Sequence, residues 1–256
     1  MSPVFPSPGC IPAPEALAAR TRAWAVPLGR VIGPELRALY IYGSALAPDF
    51  DAATSDVNVL MVAETLSMDR LIACAAALSE PAKNSELRFA PLFLTQMQIA
   101  NSVDVFPIEF MDLTQRRALL EGTDVLGAVR VGRANLRHQC EYELRAQLVG
   151  LRRAILRTGA APATAWALLA QVAGSTAALC RSLLLLQGEV PPGGGAAAIE
   201  AAARVFGVRA DTLAAPLDAR RRGPGAAQDA TATQRLGEYI EELEKLIAAV
   251  DAHPVD

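Results

Sequence analysis

The residues with chemical potential gather in one stretch. Gly43-Ser44 closes the apolar run Tyr40-Ile41-Tyr42, and Ser55-Asp56-Val57-Asn58 opens the next apolar run, which reaches Val62. A glycine at such a turn lets backbone come close to a phosphate. The Ser44 hydroxyl and adjacent N–H groups can bind phosphate oxygens, and Ser55 belongs to the same set. Carboxylates in this position hold magnesium against the phosphate, which offsets its charge and aligns an attacking oxygen. The anomaly is Asn58, an amide where a second carboxylate is expected. Its carbonyl oxygen can still ligate, but it is neutral and cannot bridge two cations, so one tightly held magnesium suits the pattern better than two.

A third acid, Glu109, lies in "SVDVFPIEFMDL" between Ile108 and Phe110. Read as a strand, this segment would set an ionised carboxylate among large apolar side chains, where it must be paired, metal-bound or facing a cleft. Asp104 and Asp112 flank it and compete for the role, Asp112 reading equally as a solvated acid or cap. A plainer reading stands beside this one. Turn chemistry alone explains Gly-Ser, Asp56 can bracket a strand, and Glu109 can pair with an arginine between 133 and 157. That reading leaves unexplained an acid on each of two apolar strands. Among the downstream arginines, Arg145, Arg152 and Arg153 carry the planar fork that suits phosphate, and Arg145 is the phosphate-binding candidate; an amphipathic surface is the alternative.

The elements that must position these residues follow from periodicity. Glu15 to Arg30 has helix formers at turn spacing, and "ALYIYGS" then reads as a strand entering a tight turn. Asp56 to Glu64 reads as a central strand of a mixed sheet, with Asp56 and Asn58 on one face. Ser67 caps a helix through "MDRLIACAAALSE", Pro81 and Asn84 close a loop, and "ELRFAPLFLT" is again extended. Pro107 places the Ser102 to Leu113 strand at a sheet edge or bulge. From about Ala134 the period becomes helical, with Leu136, Cys140, Leu144, Leu148, Leu151 and Ile155 on one stripe and Arg137, Glu141 and Arg145 at ion-pair spacing. Helices over Thr164 to Gln187, Ala196 to Phe206 and Thr231 to Ala252 are separated by the breaks "GEVPPGGG" and "RRRGPG". The last carries Leu236, Ile240, Leu243, Ile247 and Val250 as the seam of a packed bundle.

Composition bounds the function. A chain of 256 residues is long enough for one large or two modest domains, and the length favours two. Its formal charge of -3 gives no reason to expect nucleic acid as a partner, and 5% aromatic residues offer few stacking platforms. Cys10, Cys74, Cys140 and Cys180 show no metal spacing and read as reduced thiols of a cytoplasmic protein. "MSPVFPSPGCIPAPEA" lacks the basic and apolar regions of an export signal and reads as a loose, proline-rich lead-in. The apolar stretch Thr164 to Gly188 is long enough for a bilayer, but Arg181 within it and the lack of flanking belts favour a buried bundle helix, so no membrane is expected.

"GSALAPDFDAATSDVNV" resembles the signature of the DNA polymerase β-like nucleotidyltransferase superfamily, a Gly-Ser turn, a loop, and an Asp-x-Asp or Asp-x-Glu strand with a third acid later. "FPIEFMDL" with "LRHQCEYELRAQLVGLRRAIL" is similar to uncharacterised bacterial two-domain members of that superfamily, in which a Ser-Asp-Ile-Asn strand also occurs. The resemblance spans about Leu39 to Leu156 and departs from the pattern at Asn58. It implies an α+β fold: an N-terminal nucleotidyltransferase-fold mixed β-sheet with flanking helices (15–132), after a flexible lead-in (1–14), then an all-α helical-bundle domain (133–256). It also implies Asp56, Asn58 and Glu109 as metal ligands, Asp56 and Glu109 as catalytic, and Mg2+, one or two ions, as cofactor. The implied reaction transfers NMP from a nucleoside triphosphate to a hydroxyl of a small molecule or protein. Decay at Asn58 would leave instead a nucleotide-binding, regulatory or interaction module, with a homodimer compatible with either. Arg133 and His138 in "RANLRH" share a spacing that resembles HEPN ribonucleases, one that arises readily by chance in an arginine-rich chain. His253, near the C-terminus, is assigned nothing.

Overall fold

The computed structural model describes residues 4–47, 50, 52, 55–83, 85–223 and 230–252, with backbone alone for 80–83. Asn84, His253 and the Pro224-Gly225 end of the second break lie outside the described residues. The chain divides into two compact units, Val4–Gly132 and a helical unit from Arg133 onward.

In the first unit, helix α1 (Glu15–Ile32) buries Leu17, Thr21, Trp24, Leu28 and Ile32, a run of threes and fours that makes one apolar face. That face covers a four-stranded mixed sheet built from β2 (Leu36–Tyr42), β3 (Val57–Ala63), β4 (Phe89–Thr95) and β5 (Arg117–Gly122) in the order β4-β3-β2-β5. Strand β3 is central and, apart from Asn58, apolar, antiparallel to β2 and parallel to β4. A parallel neighbour needs a crossover, and α2 (Met68–Lys83) supplies it. Ser67 Oγ accepts from the Arg70 N–H at its start, and the helix runs on through Pro81 to Lys83, into the stretch expected as a loop. Trp24 of α1 stacks on Phe89 of β4 with ring centroids 4.6 Å apart, clamping helix to sheet.

Two expectations are corrected here. Ser102 to Leu113 is not a strand. After a capping box of Thr95 and Gln98, α3 spans Gln96–Ser102, and α4 spans Pro107–Gln115 with Pro107 in its first turn. Ile108, Phe110, Met111, Leu113 and Thr114 are buried while Glu109 and Asp112 face outward three residues apart, a helical rather than alternating pattern. The N-terminal segment, in turn, is tied down: β1 (Val4–Pro6) pairs antiparallel with β6 (Arg130–Gly132), and the Ile11 N–H donates to the Arg117 carbonyl at 2.9 Å.

The buried Arg117 guanidinium explains that tie. Its side chain is fully enclosed, pairs with Asp124 (Nη2 to Oδ2 2.7 Å), and donates through Nη1 to the carbonyls of Pro8 (2.6 Å) and Thr114 (2.8 Å). The Tyr40 hydroxyl donates to Asp124 Oδ1 at 3.0 Å and accepts from the Val125 N–H at 2.8 Å. One charge pair thus joins the lead-in, the end of α4, β2 and the loop after β5. Burial pushes the Asp124 pKa up, but hydrogen bonds from Arg117 and Tyr40 outweigh it and leave it below its ordinary value.

The second unit is helical: α5 (Arg133–Thr158), α6 (Pro162–Leu186), α7 (Gly195–Phe206), α8 (Ala210–Leu213), α9 (Ala215–Arg222) and α10 (Ala232–Asp251). Helix α6 packs against α5, α7, α9 and α10. By length and composition α6 could cross a membrane, yet 56% of its apolar stretch is buried among these neighbours, as a bundle core requires. Of the expected seam of α10, Leu236, Leu243, Ile247 and Val250 are buried and Ile240 is half-buried. Glu242, within it, is buried too; burial alone would raise its pKa, but Lys245 Nζ (2.8 Å) and the backbone N–H (2.9 Å) and Nε (3.0 Å) of Arg209 hold it at about 2.

Removing one partner of the Arg117–Asp124 pair strands the other. Arg117→Met is expected to cost about 3–5 kcal/mol, read by urea unfolding with Trp24 fluorescence in a Trp166→Phe background. Because the Asp124 pKa is lowered on folding, its contribution is complete above the unfolded value of 3.8 and is lost as pH falls through the lower folded value. The parent should therefore lose stability more steeply than Arg117→Met on acidification below pH 3.8.

Candidate functional site

The site stands where β2 ends and β3 begins. Tyr42 lies opposite Asn58 in the antiparallel register, so both side chains share a face, and Asp56 precedes β3 on the same side. Past Tyr42 the chain turns through a short 3-10 segment, Gly43–Leu46. Gly43 has φ +72°, in the left-handed region that disfavours any Cβ, while a Cβ there would meet Asn58 Nδ2 at an ordinary 3.4 Å. The glycine is therefore required by backbone conformation rather than by space. Its N–H does not face a ligand; it donates to the Arg116 carbonyl at 2.9 Å and locks the turn to the start of β5. Ser44 is exposed, Ser55 and Asn58 are half-buried, and Asp56 is exposed.

What the sequence reading lacks is Arg88. Strands β3 and β4 pair in parallel with Val57 against Phe89, which sets Arg88 beside Asp56 at the mouth of the sheet. Arg88 Nε donates to Asp56 Oδ1 at 2.9 Å. Both side chains are more than half exposed, at 60% and 54%, so the pair adds at most about 1 kcal/mol to stability. The signal was present as a lone cation opening the run "ELRFAPLFLT", but only the strand register gives it a partner.

Glu109 stands on the outward face of α4 instead of inside a strand, which corrects the basis on which it was singled out. Helix α4 packs against the Gly43–Leu46 turn and β2, and Asp112, one turn beyond Glu109, adds to burial in pushing the Tyr42 phenol pKa up. Arg145 belongs to the helical unit, where its Nε bonds Glu141 at 2.9 Å and Nη2 lies 3.6 Å from Asp251. Arg137 reaches the same Glu141 at 3.0 Å, the ladder the spacing predicts. His138 is exposed on α5, and Arg133, five residues earlier and so about 140° around the helix, points Nη2 at the Leu186 carbonyl instead.

A resident magnesium does not fit this donor set. Among the described residues of the two strands, the one carboxylate at the mouth already holds a guanidinium, the next position carries an amide whose nitrogen faces Gly43, and the strand residue beside Asn58 on β4 is Ala90. Among the described residues no three His, Cys, Asp or Glu side chains stand together as a metal group. Magnesium gives up water reluctantly and takes charged oxygens when it does.

No family model and no curated protein matches this chain. Among solved structures it is similar to the crystal structure of spectinomycin adenyltransferase AAD(9) from Enterococcus faecialis with ATP and spectinomycin, with a TM-score of 0.59 and 12% identity over 88% of this chain and 97% of that one. At that identity the likeness is one of fold. The architecture is thus an α+β nucleotidyltransferase-like fold, a mixed sheet with flanking helices and a large helical portion.

The backbone and charge assignments separate in two variants. Gly43→Ala is expected to cost about 1–2 kcal/mol from the left-handed φ alone. Arg88→Ala is expected to change stability by less than about 1 kcal/mol. Urea unfolding of each protein measures both, and a large loss in Arg88→Ala would make the Asp56 pair structural.

Proposed function

We propose that this chain is a nucleotide-binding module on a nucleotidyltransferase fold, taking a nucleoside triphosphate at the Gly43–Ser44 turn and performing little or no NMP transfer. The observation that carries this reading is the Asp56–Arg88 ion pair, with Asn58 in the adjacent ligand position. Transfer needs the leaving phosphate charge neutralised and an acceptor hydroxyl deprotonated. Here the carboxylate that would hold the neutralising cation is already paired with Arg88, and Glu109, assigned to the second task by the resemblance, faces outward on a helix. What remains suits recognition: an exposed serine at the turn, an amide and a cation around one strand mouth.

A second reading, NMP transfer from a nucleoside triphosphate to a hydroxyl of a small molecule, is favoured by one observation. The likeness to an enzyme solved with ATP and spectinomycin extends over sheet and helices together, covering 88% of this chain. Under this reading Asp56 and Asn58 would face the phosphates.

The two readings diverge in one pair of measurements. A thermal-shift panel of ATP, GTP, CTP and UTP should raise the melting temperature for at least one nucleotide, since ligand at about 100 times its Kd adds about 2.7 kcal/mol. Incubation of that nucleotide, labelled at the α-phosphate, with spectinomycin and other hydroxyl acceptors should move no label. Repeated turnover would establish the transfer reading, and no shift for any nucleotide would remove both.

A further inference from the structure

The disagreement between the donor set and a metal has a positive content. We infer that the nucleotide's phosphates are held directly on nitrogen donors, with Arg88 standing where a divalent cation would bridge Asp56 to the phosphate, so that binding needs no magnesium. This rests on the nucleotide-binding reading above and specifies how that site works.

The geometry supports it at three points. Arg88 meets Asp56 through Nε, and its Nη groups, the end of the guanidinium fork that grips phosphate oxygens in pairs, lie outside that bond. Both side chains are more than half exposed at the mouth of the sheet, so the fork is open to solvent and to a ligand. Asn58 turns Nδ2, its donor end, toward Gly43, and Ser44 is exposed on the same turn. Each of these groups offers a hydrogen to an oxyanion.

Asp56 then has a role that its charge alone conceals. Paired with Arg88, it aims the guanidinium across the strand mouth while cancelling the charge that would attract a free cation. It is a positioning residue for Arg88 rather than a ligand. A carboxylate at Asn58 would reverse this arrangement, replacing a donor with an acceptor and restoring a pair of acids two residues apart on one face.

Calorimetric titration of the full chain tests it, with the four nucleoside triphosphates and inorganic tripolyphosphate, each in EDTA and in excess magnesium. At least one triphosphate is expected to bind in EDTA within about threefold of its affinity in magnesium. Arg88→Ala is expected to lose tenfold or more of that affinity in EDTA and Arg88→Lys less, and Asp56→Ala a smaller part of it than Arg88→Ala, because it releases the guanidinium from its aim without removing the charge. Asn58→Asp should weaken binding in EDTA and make it respond to magnesium. Tripolyphosphate binding as well as the nucleotide would place recognition in the phosphate chain. Binding of a nucleotide seen only with magnesium, and abolished by Asp56→Ala, would overturn the inference while leaving the nucleotide-binding reading intact. No binding in either buffer would overturn the reading and the inference together. Unchanged far-ultraviolet circular dichroism in each variant separates lost affinity from lost fold.

Discussion

The parallel register of β3 and β4 decides what chemistry this sheet can offer, because it places Arg88 against Asp56 at the one end where the Gly43 turn also arrives. Three chain segments distant in sequence meet there for backbone reasons. Tyr42 lies opposite Asn58 in the β2–β3 ladder, the Gly43 N–H is fastened to the Arg116 carbonyl of the neighbouring segment, and α2 carries the chain back for β4 to run alongside β3. None of these constraints depends on a ligand. The side chains at the mouth are then free to vary in chemistry without cost to the fold, which is why a neutral amide and an exposed ion pair can both stand there.

Rigidity behind the mouth comes from a different interaction. The Arg117 guanidinium, wholly enclosed, gathers Asp124, Thr114 and the Pro8 carbonyl, and Tyr40 of β2 closes the same network through Asp124. Strand β2 therefore has its outer residues in the site and its middle in a buried polar cluster. Such a cluster is costly unless every member is satisfied, and the bonds to Arg117 meet that demand with backbone carbonyls as well as the carboxylate. The consequence for function is a β2 end, and hence a Gly43 turn, fixed from beneath while the groups above it remain exposed.

Much of this was legible in the sequence and some was not, for physical reasons. The β2 and β3 runs, the Gly43 turn and the Asp56/Asn58 face could be read because strand alternation and turn chemistry are local. The α5 stripe and its Arg137, Glu141 and Arg145 ladder were equally local. Glu109 failed because six apolar residues interrupted by two acids fit both periods over a short run, and Pro107 was weighed as a strand irregularity instead of a first-turn helix residue. Arg88, Arg117 and Asp124 were invisible because their meaning lies in partners from another strand or loop. The β1–β6 pairing of a proline-rich lead-in was hidden for the same reason.

Asn58 and Arg88 are best understood together. An aspartate at 58 beside Asp56 would leave like charges two residues apart on one face, tolerable with a bound cation and repulsive without one. Arg88 alone, set against two carboxylates, would pair with one and leave the other exposed to capture a metal. An amide alone, without Arg88, would leave Asp56 as a single weak ligand. Only the combination gives a mouth whose charges cancel within the protein while the Arg88 guanidinium stays exposed and the Asn58 amide nitrogen stands beside the Gly43 turn. The amide that breaks the expected pattern and the cation the pattern does not mention are thus two halves of one electrostatic arrangement.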